Sequence, residues 1–231
     1  MQYLGGKAKI AKRLGAYLRS RLEGRFFVEP FCGALNITTQ MEGPRLAADA
    51  SPYLFSLYKA LRSGWAPPDT LSDEEWRSLK KRKDPSDPMT AFAGYGCSFG
   101  GKFFAGYAKN DLRYNYAASA KSTLLKKFAR CVDVSFACCS YADLTPGTGH
   151  LVYCDPPYAD TTAYVAVGRF DSEAFWQWAR KRTELGACVL VSEYKAPPGW
   201  HTVWETETKT SLHCANGQEK RIEKLFEFKG Y

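Results

Sequence analysis

The strongest constraint on this chain is a set of short, almost continuous apolar runs separated by helix-like segments. His150–Cys154 (HLVYC) and Ala187–Ser192 (ACVLVS) lack polar alternation, so a strand made from either buries both of its faces. Arg25–Glu29, Arg45–Ala48 and Val134–Cys139 are further strand candidates, the first stopped by Pro30 and the second by Asp49. Between them, Lys7–Leu22 places Ile10, Leu14, Leu18 and Leu22 at helical spacing, Pro52–Arg62 carries its proline at an allowed early helix position, and Phe175–Leu185 reads as a third helix. Alternating helices and doubly covered strands predict an α/β, doubly wound, mostly parallel sheet. His201–Thr208 and Ile222–Phe228 follow with no helix between them and Asn216-Gly217 in the connection, which predicts an antiparallel last strand.

The alternation fails between the second and third strands. Proline, basic and Gly-aromatic stretches take over, so residues 64–130 are expected to be an insertion, with 1–63 and 131–231 forming the main domain. The formal charge of +8 is concentrated there: Arg77–Arg130 holds twelve Lys or Arg and three Asp or Glu, while the remainder is nearly balanced. A phosphate-bearing partner is one reading of this excess, and a solvated basic surface is the other. Phe92–Tyr116 contains eight aromatic residues and five glycines. A loop that wedges into or stacks on DNA would use such residues, and so would a small aromatic core.

Composition removes several classes. With 45% hydrophobic and 24% charged residues and no apolar run of spanning length, the chain reads as globular, with no membrane partner. The N-terminus lacks a continuous apolar core and does not read as a secretory signal. The eight cysteines form no C-x-x-C pair and accompany only three histidines, so no metal site is expected and the thiols are read as reduced and buried.

Ligands of open α/β sheets bind at the carboxyl ends of the strands. Three ends here carry unusual residues. The first runs into Glu29-Pro30-Phe31-Cys32-Gly33-Ala34, where glycine allows close backbone approach. The second ends at Asp49, an acidic position that suits a ribose diol. The fourth ends at Asp155-Pro156-Pro157-Tyr158, a tetrapeptide expected by chance on the order of once in a thousand chains of this length. A rigid proline turn with a packed tyrosine is the plain alternative. Neither a full G-x-G-x-x-G nor a P-loop pattern is present, which argues against NAD or ATP phosphates as the main ligand.

In these segments and their order, the chain resembles the DNA adenine-N6 methyltransferases of the Dam type, bacterial or phage enzymes that use S-adenosylmethionine. The matching stretches are Tyr3-Leu4-Gly5-Gly6-Lys7, Phe27–Ala34, Ala48-Asp49 and Asp155–Tyr158. Weaker ones are Tyr141-Ala142-Asp143 and Lys220–Leu225. The resemblance implies a Rossmann-like methyltransferase fold whose insertion is a target-recognition domain. It assigns Tyr3, Lys7, Glu29, Pro30, Phe31, Gly33, Asp49, Asp155 and, more weakly, Asp143 to the cofactor, and Asp155, Pro156, Pro157 and Tyr158 to catalysis. It further implies a double-stranded DNA partner, a bacterial or phage-infected cytoplasm, and a monomer, with a dimer on DNA as the alternative. One departure stands out: family members often carry Gly-x-Gly in the first turn, and here Leu35 replaces the second glycine.

The chemistry suits these residues. The adenine amine is a poor nucleophile because its lone pair is delocalised into the ring. Two acceptors on its N–H groups, the Asp155 carboxylate and the Pro156 carbonyl, would favour a tetrahedral nitrogen. The prolines fix the carbonyl, and Tyr158 offers a face to an extruded base. Direct transfer requires neither a metal nor a covalent enzyme intermediate, and Cys154 reads as a buried strand residue. Lys102, Lys109 and Arg113 are phosphate-contact candidates, Tyr164 a pocket-lining candidate, and Lys80–Lys83 a charged helix end. Adenine in RNA, cytosine N4 and a non-catalytic DNA-binding relative are the alternatives. Cytosine-N4 enzymes usually have serine at the position of Asp155.

Overall fold

The structure, a computed structural model, describes residues 1, 3–109, 114–158, 170–209 and 220–230. Its elements in chain order are α1 (Ala11–Ser20), β1 (Phe26–Glu29), β2 (Arg45–Asp49), α2 (Pro52–Arg62), α3 (Asp73–Arg82), α4 (Pro88–Ala91), α5 (Tyr116–Phe128), β3 (Val134–Cys138), β4 (His150–Cys154), α6 (Ser172–Glu184), β5 (Cys188–Glu193), β6 (Trp200–Lys209) and β7 (Lys220–Phe228). The strands form one seven-stranded sheet in the order β3-β2-β1-β4-β5-β7-β6. β1 to β5 are parallel, and β7 enters antiparallel between β5 and β6. The strand order reverses between β1 and β4, whose carboxyl ends open the crevice used by this class of sheet. Asn216-Gly217 lies outside the described residues.

Both faces are covered, as the unbroken apolar strands require. Phe27, Leu151, Tyr153, Leu190 and Leu225 pack beneath α1 through Leu14 and Leu18. On the opposite face, Val28, Val152, Val189, Val191 and Phe226 meet Phe175 and Ala179 of α6. The first helix is shorter than its apolar spacing predicts. It begins at Ala11 because the preceding residues turn around the Lys7 carbonyl, which accepts the Ile10 N–H at 3.0 Å. α6 starts earlier than predicted because Asp171 caps it, accepting the Ala174 N–H at 3.0 Å.

Residues 64–130 lie between β2 and β3 and contribute α3, α4, a π-turn at Phe92–Gly96 and α5. Their apolar side chains, including Trp76, Phe92, Tyr95 and Phe104, join Leu54, Leu57 and Tyr58 of α2 and Ala47 and Val134 of the sheet in one buried cluster. The Trp76 indole donates to the Ala93 carbonyl at 3.1 Å and to the Ser98 hydroxyl at 3.0 Å, closing the aromatic group from within. Arginines tie the far end of the segment back to the sheet. Arg45 donates to the Arg130 carbonyl at 2.6 Å, and Arg62 to the carbonyls of Cys131 at 3.1 Å and Val134 at 2.8 Å. α3 has Asp73, Glu74 and Glu75 in its first turn and Lys80, Lys81 and Arg82 in its last, an arrangement that complements the helix dipole.

The cysteines correct one expectation. Cys32, Cys97, Cys131 and Cys154 are buried free thiols, but Cys138 is exposed and Cys139 half-buried at the edge strand β3, and Cys188 is half-buried at the start of β5; Cys214 lies outside the described residues. Among the described residues, no helix is long and apolar enough to cross a membrane.

Candidate active site

The turn after β1 is built by its neighbours. The Cys32 N–H donates to the Ala48 carbonyl of β2 at 2.9 Å, and the Asp49 carboxylate accepts the N–H of Gly33 at 3.0 Å and of Ser51 at 2.9 Å. Tyr58 of α2 donates its hydroxyl to the Gly33 carbonyl. Gly33 has φ +45°, and a Cβ there would lie 3.0 Å from the Tyr3 ring, so glycine is required both for its conformation and for the approach of Tyr3. Leu35 has φ +58°. The residue that replaces a second glycine thus holds a left-handed backbone, with its side chain fully buried.

A cleft of about 1140 Å³ opens at this edge of the sheet. The Glu29–Gly33 turn lines it together with Tyr3, Lys7, Asp49, Asp155, Pro157 and Tyr158. Pro156 is buried behind the lining. Asp143 does not line the cleft: its carboxylate accepts the Ser140 N–H at 3.0 Å and shapes the turn whose Ser140 and Tyr141 do. Phe31 forms an aromatic wall with Tyr141 at 5.5 Å and Phe170 at 5.9 Å between ring centroids. Lys102 and Lys109 are exposed on the insertion, away from the lining, and Arg113 and Tyr164 lie outside the described residues. Tyr3 links the two parts, its ring 4.9 Å from Tyr95 of the insertion, while the Leu4 N–H donates to the Gly101 carbonyl at 3.1 Å.

The electrostatics centre on Lys7, whose side chain is 6% exposed. Its ammonium pairs with Asp155 at 3.0 Å and Glu223 at 3.2 Å and donates to the Tyr158 hydroxyl. Tyr158 donates in turn to Glu223 at 2.9 Å. Burial works to lower the Lys7 pKa, but the two carboxylates outweigh it and hold the ammonium above its ordinary range. Burial pushes the Asp155 carboxyl up, against the pull of Lys7. Glu29, fully enclosed and accepting from the Thr38 hydroxyl, is pushed up to about 8 by burial, and burial likewise raises Asp49. The Cys154 thiol is raised well above its usual range by burial, which suits a core residue and not a nucleophile. Among the described residues, no group of three or more His, Cys, Asp or Glu is placed to hold a metal ion.

Several residues with a hand in this site carry no role in the sequence reading: Tyr58, Tyr141, Phe170 and Glu223. Glu223 had a readable signal, since it sits two residues before the fully buried Leu225 and so shares that residue's face of the strand. Tyr141 lay in the weaker matching stretch Tyr141-Ala142-Asp143, whereas Tyr58 and Phe170 had no signal, being ordinary aromatic residues until the fold brings them to this edge.

Residues 3–86 match the family model of the D12 class N6 adenine-specific DNA methyltransferases. Two relatives, each named DNA adenine methylase and each from a Vibrio cholerae serotype O1 strain, are 26% identical over 227 residues, covering 84% of this chain and 80% of theirs. Among solved structures, the rRNA methyltransferase aviRa of Streptomyces viridochromogenes is similar over 98% of this chain and 88% of that one, at 15% identity and a TM-score of 0.43. The tRNA methyltransferase TrmI of Aquifex aeolicus is similar over 95% and 68%, at 10% identity and a TM-score of 0.39. The family match contains Tyr3, Lys7, the Gly33 turn and Asp49, so the cofactor-side residues of the cleft are those by which this chain is similar to the D12 class of N6 adenine-specific DNA methyltransferases.

Proposed function

We propose that the protein transfers a methyl group from S-adenosylmethionine to the N6 amine of an adenine flipped out of double-stranded DNA. The observation that carries this reading is that Gly33 after β1, Asp49 at the end of β2, and Asp155, Pro157 and Tyr158 after β4 open onto one cleft. The residues fit the donor. Gly33 is a cradle that a side chain would fill, and Asp49 retains acceptor capacity beyond its two backbone contacts for a ribose diol. Phe31 and Tyr141 offer an aromatic wall to its base. When bound, S-adenosylmethionine supplies a methyl group on a positively charged sulfur. Asp155 and the Pro156 carbonyl accept the two N–H groups of the target amine and favour its tetrahedral form. Pro156 and Pro157 hold that carbonyl still. Tyr158 flanks the base.

The insertion at 64–130 is assigned to DNA. Lys102, Lys109 and Arg113 are read as phosphate contacts, with Tyr164 beside the target base. Most of the aromatic residues in the insertion support its own core, as the cluster around Trp76 and Phe104 indicates. Phe99 does not, being 75% exposed on the same turn as Lys102.

The test is transfer of labelled methyl from S-adenosylmethionine to unmethylated duplex DNA, followed by nucleoside analysis for N6-methyladenine. Asp155→Ala should lower the rate by about a hundredfold or more while donor binding persists. Label in RNA but not DNA would remove the substrate assignment, and an active Asp155→Ala enzyme would remove the mechanism.

A further inference from the structure

Glu223 approaches the Asp155–Tyr158 segment from the other end of the chain. β7 runs antiparallel, so its beginning lies at the carboxyl edge, where Lys224 pairs with Glu193, the last residue of β5. The Lys7 ammonium has three N–H donors, and each meets an acceptor: Asp155, Glu223 and the Tyr158 oxygen. One cation is thus divided between two carboxylates whose side chains are 17% and 13% exposed. Burying an anion in excess of its partner charge costs stability. A second carboxylate is not needed to neutralise Lys7, since Asp155 alone would do so.

We propose that Glu223 is a positioning residue for methyl transfer, acting through Lys7 and the Tyr158 hydroxyl to set the acceptor strength and orientation of Asp155; this rests on the adenine-methylating reading above. If Lys7 served Asp155 alone, its full charge would draw electron density away from the substrate amine. Sharing Lys7 with Glu223 leaves Asp155 the stronger acceptor. Glu223 also fixes the Tyr158 hydroxyl, and with it a ring set edge-on to Tyr194 at 4.7 Å and lying under the Lys7 ammonium at 4.5 Å. The titratable and charged groups facing Asp155 are Lys7 from the N-terminal segment, Glu223 from β7, Glu29 from β1, Tyr153 and Cys154 from β4, and Tyr158. Burial raises the Asp155 pKa, Lys7 lowers it, and Glu223 adds to the rise. Removing the Glu223 charge therefore lowers it.

Glu223→Gln removes the charge at nearly constant size, and Glu223→Asp keeps the charge, so loss of strand packing is separated from loss of charge. Carboxyl 13C NMR titration of the full chain without donor or DNA should show the Asp155 pKa falling in the Gln variant and staying near wild type in the Asp variant. With duplex DNA, the Gln variant should lose about tenfold or more in kcat and move its acid limb to lower pH, with donor affinity and KM for DNA within about twofold. An unmoved Asp155 titration overturns the proposal, as does a Gln variant with wild-type kcat and acid limb. Wild-type protein that methylates no DNA would refute the functional reading instead, and the titration would then decide alone whether Glu223 controls Asp155.

Discussion

Leu35 illustrates how much one residue can hide. Its position follows a glycine turn, and its side chain is the kind that fills a core, which it does. Yet its φ of +58° belongs to the region that side chains disfavour by about 1–2 kcal/mol. Burial of a leucine outweighs that strain, since truncating one commonly costs about 2–5 kcal/mol. The usual order of the two truncations should therefore invert. Glycine is ordinarily about 1 kcal/mol worse than alanine inside regular structure, but Leu35→Gly should unfold at a urea concentration equal to or above that of Leu35→Ala. An alanine variant more stable than the glycine variant by about 1 kcal/mol would contradict the strained conformation. The missing second glycine was legible in the sequence. That leucine keeps the backbone path of a glycine was not, because φ depends on the contacts that hold the turn: the Cys32 N–H on β2 and Tyr58 on the Gly33 carbonyl.

At the scale of elements, the basic stretch separates into parts with different work. Lys80, Lys81 and Arg82 close α3, whose first turn is acidic, and the charges of that helix offset each other along its length. Lys102 and Lys109 instead follow turns with no such partner pattern in sequence, and both are exposed. If the insertion tracks the DNA backbone, Lys102→Ala and Lys109→Ala should each reduce the slope of log affinity against log salt by about 1, while Lys80→Ala and Lys81→Ala leave it unchanged. Fluorescence anisotropy with a short duplex across a salt series measures this, and equal slopes for all four variants would remove the loop assignment. The aromatic residues divide in the same way. Trp76, Phe103, Phe104 and Tyr107 pack against one another through edge-on and tilted ring contacts, whereas Phe99 faces outward. Composition gave the eight aromatics without this division, because which ring turns inward depends on the π-turn and on Gly94, where a Cβ would lie 2.4 Å from the Phe103 ring.

Across the whole molecule, the site concentrates carboxylates at one buried edge, and that edge costs stability. Glu29, Asp49 and Asp155 all have pKa values raised by burial, Glu29 to about 8. A carboxyl whose folded pKa lies above its unfolded value stabilises the fold fully below the unfolded pKa, and that contribution is lost as pH rises through the folded value. For Glu29 the window runs from about 4.5 to about 8. Glu29→Gln, which cannot ionise, should gain on wild type by about 1.4 kcal/mol per pH unit across much of that window, on the order of 3–5 kcal/mol in all. Denaturant titrations at intervals from pH 5 to pH 8.5 check this, and a difference independent of pH would show that Glu29 ionises freely in the folded protein. The sequence by itself determined the doubly covered sheet, the antiparallel last strand, and the strand ends at Glu29, at Asp49 and just before Asp155, because apolar periodicity and strand-stopping residues are local properties of the chain. Only the tertiary structure decided that Lys7, Tyr158 and Glu223, drawn from the two ends and the middle of the chain, share one charge network, and that the aromatic insertion packs into the core beside α2. Those contacts join residues far apart in sequence, and they exist only once the strand order brings β4 and β7 to either side of β5.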